Sequence, residues 1–202
     1  MHGVKRARAR AARSQLGRPL VTHIVELGGV GPTIGEGVYL APTAVLVGDV
    51  RIGDHATVWF GAVLRADSER IEVGARSSIQ DNVVIHCAEH LPTIVGEDVT
   101  VGHGAMLEGC VVHDGALIGM GAIVLQRAEV GERALVAAGG VVAEGQRIAP
   151  RMLAAGVPVT EKKPLSGGSE RWTESASEKY QQLRERYLRT STARSKDGSS
   201  TV

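Results

Sequence analysis

Residues 95–108 read Val95-Gly96-Glu97-Asp98-Val99-Thr100-Val101-Gly102-His103-Gly104-Ala105-Met106-Leu107-Glu108, with an aliphatic side chain at every sixth place. The same beat extends upstream through Ile34, Leu40, Leu46, Ile52, Val58 and Leu64. A three-residue slip then precedes Val73, Ile79 and Ile85, and four extra residues precede Val95. Downstream one residue is dropped before Val112, Ile118, Val124, Val130, Val136 and Val142. Small residues often take the fifth place, as at Ala44, Ala56, Ala62, Ala116, Ala122 and Ala134. A period of six matches neither a helix nor a simple alternating strand, and Gly-Asp and Gly-Glu corners interrupt any long alternation. It matches the hexapeptide repeat of a parallel β-helix, in which each hexad forms one flat side of a prism and points its aliphatic inward. Taking three hexads to a coil, the pattern predicts an all-β fold of about six coils.

Composition agrees with such thin layers. The chain has 202 residues, 43% of them hydrophobic but only 3% aromatic, so Val, Ile, Leu and Ala must fill the core. No apolar run approaches the ~18 residues of a membrane span. A net charge of +1 argues against nucleic acid as a main partner, because phosphate binding needs a clustered basic surplus. Cys87 and Cys110 cannot staple a domain of this size and read as buried thiols in a reducing, cytoplasmic setting. Residues 1–20 carry Lys5, Arg6, Arg8, Arg10, Arg13 and Arg18 with no acid before Glu26. They read as a disordered basic extension, with an organelle transit peptide as the alternative.

The repeat and its connector occupy 21–164, and a helical segment is expected over 165–190. Within it Trp172, Ala176, Tyr180, Leu183 and Tyr187 fall on one face, which predicts packing along the prism with Trp172 and Tyr180 in the core. Residues 191–202 are Ser-, Thr- and Arg-rich and read as a disordered tail.

The repeat also constrains chemistry. His86 and Glu108 each follow an inward aliphatic one coil apart, so they stack at roughly the 4.8 Å of neighbouring strands. His103 lies on a different side, with Gln80 one coil beneath it, and would reach the same ion only in a trimer. Two His and one Glu with an open position for water suit zinc. Each residue has an ordinary reading too: an outward His is solvated or at an interface, and Glu108 is a surface charge. His90 reads as a solvated loop residue and His113 as surface or interface.

Arg65-Ala66-Asp67, Ser78-Ile79-Gln80-Asp81-Asn82, Val83-Val84-Ile85-His86, Gly96 to His103, Gly119-Met120-Gly121 and Gly156-Val157-Pro158 resemble the γ-class carbonic anhydrase family, in its order and spacing. The resemblance implies a left-handed β-helix homotrimer with a C-terminal α-helix and a metal between subunits. It implies His86 and His103 as metal ligands and Arg65 and Asp67 as an interface ion pair. It further implies Gln80 beside metal-bound water or bicarbonate, and Asp81 orienting that shell. The family's third ligand is a His five residues after the one matched by His103; that position is Glu108 here. Its proton-shuttle Glu is matched by Glu89, in a loop shortened to about Glu89–Thr93. The carboxylate beside the Arg-x-Asp motif is Ser68 here.

The implied function is reversible hydration of CO2 to bicarbonate by a hydroxide formed at zinc, or at Fe(2+) or Co(2+), in a soluble homotrimer. A carboxylate ligand donates charge and makes the bound water less acidic than three imidazoles would, which predicts slow turnover. The alternatives are a catalytically inactive trimeric scaffold and a hexapeptide acyltransferase, since the prism hosts several functions. A thioesterase or other metal hydrolase on the same site is a close relative of the first reading.

Overall fold

The structure is a computed structural model that describes residues 22–197. The basic stretch 1–20, with its transit-peptide alternative, and the last part of the tail lie outside the described residues. The chain winds into a parallel β-solenoid of about seven turns, one more than the repeat count predicts. One side stacks His23–Val25, the start of Val45–Ile52, the start of Val63–Val73, Val84–His86, Met106–Glu108, Ile123–Val124 and Val141–Val142. The next side begins at Thr33–Ile34 and ends at Arg147–Ile148; the third runs from Tyr39–Leu40 to Met152–Gly156. The extra turn comes from the ends. His23–Val25 pairs in parallel with the coil ahead of the six-residue beat, while Ile148 and Ala154 carry the beat two places beyond Val142.

The beat and the burial coincide. Leu46, Val58, Leu64, Ile79, Ile85, Val101, Leu107, Ile118 and Val136 are fully or almost fully buried, and so are the fifth-place alanines. Each rung thus contributes an aliphatic and a small residue to one continuous core, the shape a narrow prism can hold. The three-residue slip is absorbed in the long strand Val63–Val73, opposite a register shift between Gly48 and Val50. The four-residue insert folds into a tight loop closed by an Ala88–Leu91 bridge. After the last rung, Val159–Pro164 returns antiparallel on Met152–Gly156 and closes that end.

Helix α1 (Gly167–Asp197) lies along the third side. Its backbone runs past the expected end at residue 190, as no Gly or Pro interrupts the chain before Gly198. Tyr180, Leu183 and Tyr187 pack on Tyr39, Ala41 and Trp59, and Ala176 on Leu117 and Leu135. Trp172, however, is 49% exposed, which corrects its expected place in the core. The buried face is rotated by about one residue: Thr173, Ser177 and Arg184 are buried with Ala176. Thr173 bonds back to the Ser169 carbonyl of its own helix, while Ser177 and Arg184 are drawn in by polar corners of the prism. Ser177 donates to Asp98 at 3.0 Å, Arg184 to the Gly37 carbonyl at 3.0 Å, and Gln181 to the carbonyls of His55 and Arg76.

Two predictions follow from the corners. Gly48 and Gly121 both have φ in the left-handed region, but a Cβ on Gly48 would sit 1.9 Å from the Ala66 carbonyl oxygen, while one on Gly121 meets nothing within 4 Å. Gly121→Ala should therefore cost only the ~1 kcal/mol of the backbone conformation. Gly48→Ala should cost well above that, ~3 kcal/mol or more, by urea unfolding. Equal losses would show that the corner yields. The second concerns Asp98, where burial raises the carboxyl's pKa but the Arg76 guanidinium and Ser177 hydroxyl outweigh it and hold it below the usual carboxylate range. A depressed carboxylate stabilises the fold above its unfolded value and loses that contribution as pH falls through the folded one. Asp98→Asn should thus lower Tm near neutrality, with the gap to wild type closing below about pH 4. A gap that persists in acid would remove the charge from the account.

Candidate functional site

Strand register builds the first half of the site. Arg65 lies opposite His86, and His86 opposite Glu108, so the three form one outward column on neighbouring rungs. Each follows an inward aliphatic (Leu64, Ile85, Leu107), so the pleat turns all three outward. The Glu108 carboxylate stands 3.4 Å from His86 Nδ1. Asp67, two residues beyond Arg65, forms an ion pair with it and sets its other oxygen 2.9 Å from His86 Nε2. The hydrogen bond from His86 is the main force holding the Asp67 carboxyl below its ordinary value, with Arg65 adding to it. His86 is therefore held between two carboxylates, one on each ring nitrogen.

That arrangement has a chemical consequence. A neutral imidazole has one N–H and one lone pair, so it satisfies only one carboxylate, and the second needs a cation between itself and the ring. A second proton or a metal ion meets that need. The donor set of imidazole and carboxylates therefore suits a divalent metal.

The second half lies at the end of the third side. His103 Nδ1 is 2.8 Å from Asp81 Oδ2, and its backbone N–H donates to Gln80 Oε1 at 3.1 Å. Gln80 is 4% exposed, one rung below, as the repeat predicts. With Asp81 on Nδ1, the His103 ring is oriented with Nε2 available to a ligand, and its side chain is half exposed. The two halves stand on different sides of the prism and do not converge within one chain. Glu89 sits in the Ala88–Leu91 loop, 87% exposed and beside His90.

One neighbour of the site is not picked out by the repeat. Cys87 is fully buried, and its sulfur lies within 4.8 Å of ligand atoms of both Asp67 and His86, a group able to hold a metal. Its Sγ accepts the Glu69 N–H at 3.2 Å and contacts the Ser68 hydroxyl at 3.5 Å. Position 68, where the γ-class pattern has a carboxylate, thus lies against this thiol. Only the adjacency of Cys87 to His86 hints at it in the sequence. His113 is remote, half exposed, and paired with Glu129 at 2.8 Å. Cys87 and Cys110 are both free, and burial pushes the Cys110 thiol up to about 12.

A hexapeptide-repeat solenoid carrying outward His–carboxylate clusters on two of its sides is the class of protein that fold and site define. Comparison with known proteins narrows it. The bacterial transferase hexapeptide (six repeats) profile matches residues 31–66. A probable carbonic anhydrase of Methanocaldococcus jannaschii is 54% identical over 125 residues, covering 62% of this chain and 79% of that protein. The mitochondrial gamma carbonic anhydrase 2 of Arabidopsis thaliana is 45% identical over 100 residues, which cover 46% of this chain and 36% of the plant protein. Among solved structures, a putative acetyltransferase of Bacillus cereus superposes with a TM-score of 0.81 at 33% identity, covering 83% of this chain and 97% of that one. The chain belongs to the γ-class carbonic anhydrase family. Among the described residues no helix is long and apolar enough to cross a membrane.

Because desolvation disfavours its thiolate, Cys110 should stay unmodified by a thiol-reactive reagent near pH 8 in the folded protein and react only on unfolding. Mass spectrometry of a cysteine peptide digest reads this directly. Rapid labelling of Cys110 in the native protein would contradict its burial.

Proposed function

We propose that the protein interconverts CO2 and bicarbonate at a metal shared between subunits of a homotrimer, held by His86 and Glu108 of one copy and His103 of the next. The observation that carries this reading is the pair of incomplete halves. One side offers a stacked His86–Glu108 pair that needs a cation; another offers a His103 ring pre-oriented by Asp81. Zinc suits two imidazoles and a carboxylate, and Fe(2+) or Co(2+) accept the same donors. Such a metal, when bound, acts as a Lewis acid that makes water a nucleophile near neutral pH.

The remaining tasks fall to this chain's own groups. Asp81 keeps the proton on His103 Nδ1. Gln80 has its oxygen committed to the His103 N–H, so its amide donors are the part that can face bicarbonate. Arg65, paired with Asp67, keeps the His86 partner ionised. Glu89, fully in solvent, is placed to pass a proton to buffer. Glu108 adds a negative charge where the family pattern has a neutral ring, so turnover is slow. The free, buried cysteines fit a reducing cytoplasm. The likeness to a putative acetyltransferase supports a second reading, acyl transfer on the same prism, which acetyl-CoA binding would reveal.

The trimer purified without chelator should carry about one metal ion per chain. His103→Ala or Glu108→Ala should lose the metal without changing the trimer's mass. Glu108→His should raise the CO2 hydration rate. Full metal content in both alanine variants would sink the shared site.

A further inference from the structure

Beside His103, on the side facing helix α1, lies a small pocket of about 140 Å³. Its walls are apolar, made by Leu117, Ile118, Met120, Trp172 and Ala176. Its polar groups are Gln80, Thr100, His103, Lys179 and the Tyr180 hydroxyl, and no carboxylate lines it. This pocket accounts for the exposed Trp172, which stands at its edge instead of in the core.

Thr100 is the informative residue. Thr57, Ser78 and Thr100 form one outward column on the third side, beneath the helix. The first two satisfy each other at 3.0 Å and both accept from Trp59 Nε1. The Thr100 hydroxyl, in a residue only 4% exposed, has no partner among the described residues. The rung above is Leu117, so the polar column ends where the pocket opens. A buried hydroxyl without a partner in a native fold calls for a ligand or an ordered water.

The donors point to an acceptor. Gln80 has only its amide hydrogens left, because its oxygen is taken by the His103 N–H. Lys179 brings a positive charge and forms no ion pair among the described residues. Three residues with donor groups in the lining of a cleft with apolar walls match a carboxylate with a short hydrocarbon tail. The volume, that of roughly five waters, limits the tail to a few carbons.

We propose that this pocket binds a short-chain monocarboxylate of two to four carbons, its oxygens on Thr100, Gln80 and Lys179 and its tail against Leu117, Met120 and Trp172. The site is made by one chain and does not depend on the shared metal, so its failure would leave the carbonic-anhydrase reading standing. Sodium butyrate is the probe, titrated calorimetrically and by Trp172 emission into the full-length trimer, as purified and again after chelation. Saturable binding is expected in both states, with Trp172→Phe removing most of the emission change. Thr100→Val and the exposed Lys179→Met should each weaken it about tenfold, the loss of one hydrogen bond to a charged group. Chloride, which lacks a tail, should compete poorly.

Three results would overturn the proposal. They are no saturation by about 10 mM butyrate, both variants binding like wild type, or binding only with metal present, which would make the carboxylate a metal ligand. Equal competition by chloride would reduce the site to a general anion patch at Lys179 and refute it as well.

Discussion

Everything in this molecule depends on keeping one aliphatic side chain per rung inside a prism too narrow for anything larger. Burying each Val, Leu or Ile contributes about 1.5–3 kcal/mol, and the prism interior is the main core of the described residues, flanked by two smaller clusters under helix α1. A strand shifted by one residue would turn its aliphatic outward and its polar neighbour inward, so the register is fixed at every step. The buried fifth places show the same limit, being filled by Ala or at most Val, as at Val83 and Val99. Seven turns stacked in this way give a rigid body on which outward positions are as well defined as inward ones.

That rigidity turns sequence positions into columns. Arg65, His86 and Glu108 meet because each follows an inward aliphatic in consecutive turns, while the Gln80 side chain reaches one place along to the His103 N–H. The rule also keeps His86 and His103 apart, because one coil is divided among three sides. A site that needs both histidines can be completed only by another copy of the chain. Helix α1 adds what the repeat cannot supply. It gives one side a second wall, and with it a pocket of different shape and chemistry beside His103.

The parts of this structure that follow the period were legible in the sequence, and those that interrupt it were less so. The coil, the buried residues and the stacking of His86 on Glu108 come from counting sixes. The first turn was missed because His23–Val25 carries no glycine corner and leaves Ile24 half exposed at an open end. The link from Asp67 to His86 was not countable, as Asp67 lies in the long strand where register shifts. Asp81 entered through family resemblance, not spacing; its contact with His103 depends on a corner conformation. The helix face was misjudged by one residue because polar corners, which an apolar stripe does not register, hold Ser177 and Arg184 against the prism.

The Glu at position 108 can be weighed by charge. Arg65, Asp67 and Glu108 sum to minus one around a neutral His86, whereas a third imidazole in place of Glu108 would bring the sum to zero. The extra charge favours retention of a divalent cation, since the attraction acts at contact distance and the column is only partly screened by solvent. The same charge reduces the cation's pull on the electrons of a bound water, and so its acidity. It also shifts preference towards harder, oxygen-accepting metals. Retention and acidification thus move in opposite directions with one substitution. Under the proposed function Glu108 would trade speed for a firmly held cation and would not dismantle the site, because the carboxylate on His86 Nδ1 still calls for a positive charge.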